Sequence, residues 1–258
     1  MTSGKAARKL RKQSPRRTTT KLHPPTIQAY MQGLPLAPGG AQLRFARPED
    51  MPVVATLMAT AGANVTEGLT KALNAGELAG NVKDGLAGGR ESFVRSLATS
   101  FQGGSDPFFA CSAALVVEEG GTVVAAAVAG PPGGYLQKVG DLVPGKEGMR
   151  LMMMGVMGTV KLIGVATHPE HQGRGYGATL VKHLRSIFVR CGYFIMYGSY
   201  EVTKPYLEKF YSQLGFDVLP SGQAVDFSLV LDRPGGPVPE AGERMFVDAR
   251  LPDRSALP

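Results

Sequence analysis

A chain of 258 residues is long enough to bury one substantial core or two small ones. Its 43% hydrophobic content is that of a globular protein, while 34 glycines and 19 prolines point to extensive loops or loosely ordered ends. The net charge of +7 suggests a polyanionic partner until it is placed along the sequence: residues 1–48 hold ten Lys or Arg and no acid, so the remaining 210 residues carry 18 bases against 21 acids. No apolar run is long enough to cross a bilayer, so no membrane partner is expected. Cys111 and Cys191 lie among apolar residues with no CxxC pair and no nearby Cys/His set. They read as buried free thiols in a reducing compartment, and neither a disulfide framework nor a metal site is expected.

The basic stretch Lys5 to Lys21 has three readings: a solvated disordered extension, an organelle transit segment, or a segment attracted to an anionic surface such as nucleic acid. A secretory signal is not expected because no apolar stretch follows the charges. Residues 22–40, with Pro24, Pro25, Pro35, Pro38, Gly39 and Gly40, read as a linker. The division expected is therefore a tail and linker over 1–42, one domain over 43–232, and a Pro/Gly-rich tail over 233–258. Leu43 to Ala46 alternates as a strand, and Arg47-Pro48-Glu49-Asp50 places Pro and two acids at a helix start ahead of Val53, Val54, Leu57 and Met58. Residues 61–104 are weakly patterned, with one or two short helices around Phe93, Val94 and Leu97 split by glycines.

Ala113 to Glu118 and Thr122 to Ala129, joined by Glu119-Gly120-Gly121, predict a β-hairpin. Met149, Met152, Met153, Met154 and Met157 read either as a core-facing helical turn or as a pliable apolar wall for a substrate. Val225 to Leu231 alternates in period two and predicts a last strand. Phe194 to Tyr200 predicts a strand, and Pro205 to Gly215 brackets a helix whose stripe is Leu207, Phe210 and Leu214.

The segment with chemistry begins at Val160 to Ala166, apolar on both faces like a central strand. It runs through Pro169 into Gln172-Gly173-Arg174-Gly175-Tyr176-Gly177. An amphipathic helix with Leu180, Val181, Leu184, Ile187, Phe188 and Cys191 on one stripe follows. A glycine loop opening a helix presents unpaired N–H groups and the positive end of the helix dipole, which suits a phosphate. A Walker loop is ruled out because no Gly-Lys-Ser/Thr follows. Gly173, Gly175 and Ala178 fit a dinucleotide fingerprint, but residues 168–172 separate them from the strand and no acid ends a following strand at the required distance.

The pattern Val165-x-x-x-Pro169-x-x-Gln172-Gly173-Arg174-Gly175-Tyr176-Gly177 resembles the acetyl-CoA motif of the GNAT acetyltransferases. Phe210-Tyr211-Ser212-Gln213-Leu214-Gly215-Phe216 resembles that family's Y-x-x-x-G-F segment. Details of the later half are most similar to the small-amine branch, including puromycin-type acetyltransferases. The resemblance implies a single α/β (α+β) domain with a mixed, mostly antiparallel sheet flanked by helices. It implies acetyl-CoA held by Val165, Ala166, Thr167, Gln172, Gly173, Arg174, Gly175, Tyr176, Gly177 and Ala178, and transfer of acetyl to a primary amine of a small molecule or protein.

The resemblance also implies that N–H groups near Val165 and Ala166 steady the oxyanion, and Gly164 suggests a bulge or a close backbone approach there. Tyr211 reads as the acid for the leaving thiolate or as a packing residue. Glu201 reads as the base or as the start of a solvated loop, with His168 a weaker base candidate. Lys204 stands where many members have Asn. The competing functions are a catalytically degenerate CoA-binding regulatory protein and nucleic-acid association through the tail. The acceptor and the oligomeric state are not legible, and the compartment expected is the cytoplasm, or an organelle if residues 1–40 form a transit segment.

Overall fold

The structure is a computed structural model that describes residues 25–36, 39–63, 67–103 and 106–249. Helix α1 (Ile27–Gln32) leads to strands β1 (Leu34–Leu36) and β2 (Ala41–Phe45). Helices α2 (Met51–Thr60), α3 (Glu67–Asn74), α4 (Gly80–Phe101) and α5 (Pro107–Ala110) then precede strands β3 (Ala113–Glu119) and β4 (Thr122–Gly130). Helices α6 (Gly133–Leu142) and α7 (Lys146–Gly158) come before strand β5 (Thr159–Thr167), helix α8 (Tyr176–Cys191) and strand β6 (Ile195–Glu201). Helix α9 (Tyr206–Gln213), strand β7 (Asp217–Val218), helix α10 (Ser228–Leu231) and strand β8 (Glu243–Ala249) complete the order.

All eight strands join one sheet in the order β1-β2-β3-β4-β5-β6-β8-β7. Every neighbouring pair is antiparallel except β5 and β6, which run parallel. The expected mixed, mostly antiparallel sheet flanked by helices is therefore what forms. The hairpin forms as expected, because Glu119 faces Thr122 across a turn whose two glycines have φ of 60° and 80°, the left-handed pair that a tight hairpin turn requires. Ala125, Ala126, Ala127 and Ala129 on β4 are fully buried. Their small side chains let α2 and α8 approach the sheet centre closely.

The domain is wider than the sequence reading placed it. Thr26 caps α1 through its hydroxyl, Gly33 ends it at φ 102°, and Tyr30 is fully buried. The Tyr30 ring lies 5.7 Å from Phe45 and its hydroxyl 2.7 Å from His183 Nδ1. Helix α1, within the stretch read as linker, thus packs against the domain and reaches α8 through Tyr30 and His183. At the other end β8, read as tail, pairs with β6 along its whole length, from Ile195 with Ala249 to Glu201 with Glu243. The Met245-Phe246-Val247 triplet that drives this is buried on both faces of the sheet. The basic stretch Lys5 to Lys21 lies outside the described residues.

The expected strand at 225–231 is also corrected. Val225 and Phe227 are buried as alternation predicted. However, Asp226 accepts from the Ser228 N–H and hydroxyl at 2.8 Å each, and this local cap turns the chain into α10 instead. Between Ala61 and Gly103, α3 is followed by α4, whose 22 residues are two helical pieces on either side of Gly89, at the non-helical φ 74° and ψ −165°, so a glycine splits the stretch as expected.

One buried ion cluster ties β2 to the turn that opens α2 and to β3. Arg44, 4% exposed, meets Asp50 at 2.6 and 2.9 Å and Glu118 on β3 at 2.7 Å. Burial pushes the Asp50 carboxyl up, but the Arg44 and Arg47 hydrogen bonds outweigh it and leave its pKa lowered. Asp50→Ala leaves Arg44 buried with half its partners, and urea unfolding should show a loss of about 3–5 kcal/mol. Because the folded pKa is depressed, the wild-type contribution is present above the usual carboxylate range and disappears as pH falls through the folded value.

Candidate functional site

The sheet opens at its centre. β5 pairs with β6 only from Thr159 to Lys161, whereas β6 continues alongside β8 to Glu201. Just past that point the β4–β5 register shifts: Val128 faces Gly164 and Ala129 faces Leu162, which leaves Ile163 as the extra residue of a bulge. Gly164 is required here, since a Cβ would lie 2.9 Å from both Met58 Sδ and Ala63 Cβ. The bulge expected at Gly164 is therefore present, and the end of α2 fills the side chain's place. Beyond Lys161, the edge of β5 that would face β6 has no strand beside it and remains able to bond an extended chain.

A cavity of about 720 Å³ occupies the split. One wall is β5 from Leu162 to Thr167, continued by Gln172, Gly173 and Gly175 of the loop and by Tyr176, Gly177 and Ala178 of α8. The other wall is Ser199, Tyr200 and Glu201 from β6 with Lys204, Tyr206, Leu207, Phe210 and Tyr211 from the α9 region. All the expected site residues except Arg174 line this one space. A groove of about 800 Å³ beside α4 is more open and lies away from the glycine loop.

The loop is shaped by its glycines. Pro169 to His171 form a single 3-10 turn. Gly173 and Gly175 then sit at φ 77° and 80°, a region that side chains disfavour. Gly177 differs, because its φ is helical and a Cβ would touch Thr167, Val165 and Phe210 only at ordinary contact distance, 3.7 to 3.8 Å. The missing side chain there leaves room in the cavity rather than relieving strain. Among the described residues no backbone partner meets the N–H groups from Gly173 to Ala178, while the Thr179 N–H begins the helical ladder on Gly175. Six N–H groups at the loop and the start of a 16-residue helix thus lack a backbone partner, and five of their residues line the cavity.

Arg174 turns away from the cavity. Its guanidinium bonds both Glu119 oxygens at 2.8 and 3.0 Å, and Glu119 also takes His171 Nδ1 at 2.8 Å and the Tyr176 hydroxyl at 3.3 Å. Its bond to His171, with Arg174 alongside, holds the Glu119 carboxyl below its usual range. The hairpin end thus staples the loop from outside, a contact 52 to 57 residues apart in sequence that no local pattern signals.

Tyr211 faces the cavity with its ring fixed by neighbours. It stacks on Phe246 at 3.6 Å between centroids and 14°, with Phe210 and Phe216 edge-on. Burial raises its pKa, so it is a neutral phenol at pH 7. Its hydroxyl has no hydrogen-bond partner among the described residues. Tyr200, which sequence reasoning did not single out, is 6% exposed, lines the same cavity and also has an unpartnered buried hydroxyl. Its only signal was an aromatic residue next to Glu201. Glu201, half exposed, takes a bond from Lys204 Nζ at 3.2 Å. Both Lys204 and Glu201 face the split. His168 is exposed on the outer side of the turn and does not line the cavity.

The methionines sit on α7, which buries Leu151 and Val156 rather than the methionine stripe. Met149, Met153, Met154 and Met157 border a separate apolar groove, so they form no wall of the central cavity. No helix among the described residues is long and apolar enough to cross a membrane.

Residues 111–218 match the family model described as an acetyltransferase (GNAT) domain. Among solved structures the chain is similar to yncA from Salmonella typhimurium with its cofactor acetyl-CoA, at 20% identity and TM-score 0.45, over 84% of this chain and 97% of that one. It is similar to the ribosomal-protein-alanine N-acetyltransferase from Brucella melitensis at 15% identity and TM-score 0.43, over 80% and 98%. It is also similar to a spermidine N-acetyltransferase from Vibrio cholerae at 14% identity and TM-score 0.42, over 81% and 93%. No curated protein matches the chain in sequence.

The packing of Tyr211 separates ring from hydroxyl. Tyr211→Ala should cost about 3 kcal/mol or more in urea unfolding, as removal of a buried aromatic does. Tyr211→Phe should change stability by less than about 1 kcal/mol, because the lost hydroxyl bonds nothing in the protein.

Proposed function

On a chain whose residues 111–218 match the GNAT acetyltransferase domain, we propose that the protein transfers an acetyl group from acetyl-CoA to a primary amine of a small molecule or protein, by direct attack in a ternary complex. The observation that carries this is the parting of β5 from β6 directly beside a glycine loop and helix start with six unpaired N–H groups. The residues present fit the cofactor, since Gly177 leaves open a place that a side chain would fill and the N–H groups have no protein partner. Gly173 to Ala178 would hold the pyrophosphate and the free edge of Val165, Ala166 and Thr167 the extended pantetheine arm.

Bound acetyl-CoA supplies the activated acyl thioester. The chain's own residues do the rest. N–H groups of β5 past the bulge, near Val165 and Ala166, donate to the carbonyl oxygen as it gains charge. Glu201 accepts the proton that the amine loses, directly or through water. A phenol that stays protonated at neutral pH, Tyr211, returns a proton to the departing sulfur. Electron flow closes as the C–N bond forms and the C–S bond breaks, with one proton leaving the nitrogen and one reaching the sulfur.

A second reading, a CoA-binding regulatory protein without transfer, draws support from Lys204, which occupies the family's Asn position and ion-pairs the candidate base.

Thermal-shift measurements test the binding half. Acetyl-CoA should raise the melting temperature, and Gly177→Trp should abolish the shift while leaving the melt of the free protein largely unchanged. An unchanged shift places the cofactor elsewhere. Steady-state assays over a panel of amines test the chemical half. Tyr211→Phe should lower kcat by roughly 10²-fold with little change in acetyl-CoA affinity. Wild-type turnover in that variant removes Tyr211 from the mechanism. Tight acetyl-CoA binding with no transfer to any amine supports the regulatory reading.

A further inference from the structure

At the edge of the cavity, which His171 lines, the turn before the glycine loop gathers three side chains whose chemistry the proposed transfer does not use. We propose that His168, Glu170 and His171 form a binding site for a divalent transition ion of the zinc class, with Glu119 orienting His171. One ligand atom from each of the three lies within 4.8 Å of those of the other two. Two imidazoles and one carboxylate are a donor set for zinc-like ions and a poor one for magnesium or calcium, which select oxygen. In the sequence the group is a His-Pro-Glu-His turn.

The backbone that carries these groups is fixed before any ion arrives. His168 donates its N–H to Val124 on β4 at 2.8 Å, and the His171 N–H returns to the His168 carbonyl at 2.9 Å. Pro169 sets the first residue of the turn. Side chains at the first, third and fourth positions therefore rise from a short, pinned arc. The two imidazole rings stand 5.9 Å apart at 69°. With zinc–ligand bonds of about 2.0–2.2 Å, tetrahedral ligand atoms lie roughly 3.4 Å apart. Closing from 4.8 Å needs rotation of His168 and Glu170, which are exposed and make no side-chain hydrogen bond among the described residues. Three protein ligands leave a fourth position for water.

A second observation points the same way. His171 Nδ1 lies 2.8 Å from Glu119 Oε2, and Glu119 is itself held by Arg174 and Tyr176. A carboxylate on one ring nitrogen fixes the tautomer and leaves Nε2 as the ligand, the outer-shell arrangement that ligating histidines usually show. The same carboxylate holds Arg174 and Tyr176 of the glycine loop, so an ion here would bear on the loop through Glu119.

Isothermal titration of zinc chloride into the untagged full chain, without acetyl-CoA, tests this. One ion should bind per chain, and magnesium should give no heat. His168→Ala combined with His171→Ala should weaken zinc at least 10-fold, and Glu170→Gln, an exposed position that cannot disturb the core, should weaken it as well. Glu119→Ala should cost about 10-fold through loss of the outer partner. Melting curves without metal check that each variant folds. Absence of zinc binding in the wild type overturns the site, and so does wild-type affinity in the double variant, which places the ion on other residues such as His23. Neither result touches the acetyl-transfer proposal, because no cofactor is present.

Discussion

The three-residue pairing of β5 with β6 is the constraint from which the rest of the architecture follows. β6 is kept straight by β8 along seven residues. β5, by contrast, carries an extra residue at Ile163 and must bend there. The end of α2 occupies the space that a side chain at residue 164 would take, so the strand and that helix are adjusted to each other. A parallel pair so placed can only diverge. The divergence removes hydrogen-bond partners from one edge of a central strand, a cost acceptable where a ligand chain supplies them. The cavity, the free edge and the entrance walled by β6 and the α9 region are three aspects of that one departure from regular pairing.

The glycine loop depends on the same geometry from its other side. β5 delivers the chain to the turn at Pro169, and α8 carries it back across β3, β4 and β5 with Leu180, Val181, Leu184 and Ile187 fully buried beneath. That burial fixes the direction of the helix axis, hence where its unpaired N–H groups point. Glu119 then ties the loop to the hairpin end by three side-chain partners. The staple engages the side chains of the loop and leaves its backbone donors unused. Arg174 is accordingly engaged by Glu119, and in the proposed cofactor site anion binding rests on the backbone.

Patterns short enough to lie within one element were legible in the sequence. The hairpin, the central strand, the loop and the α8 stripe each obey a local rule of period, cap or turn, and each formed within a residue or two of its expected bounds. Elements whose stability comes from distant partners were not. Strand β8 has only the Met245-Phe246-Val247 triplet to mark it amid Pro and Gly, and it becomes a strand because β6 and β7 offer edges on both sides. Val225 and Phe227 misled for the converse reason: their alternation reports burial, while Asp226 decides the backbone by capping α10. In the site, Gly173, Gly175 and Gly177 were legible as a motif, whereas Tyr200 and Glu119 matter through contacts that the sequence does not encode locally.

The two tyrosines facing the split differ in how firmly they are held. Tyr211 is clamped by Phe246, Phe210 and Phe216, so its oxygen has little freedom to move. A donor held this way loses no rotamer entropy in the transition state, but a group that accepts its proton has to arrive at the right place. Tyr200 stacks loosely on Tyr211 at 6.0 Å, and its buried hydroxyl lacks a partner, which is tolerated where a ligand atom completes the bond. Burial raises the pKa of both phenols. Both therefore keep their protons throughout the neutral range and neither serves as the base. In the proposed transfer the proton of the amine goes to Glu201, the one carboxylate that lines the cavity among the described residues, and its bond to Lys204 then has to loosen or be shared through water.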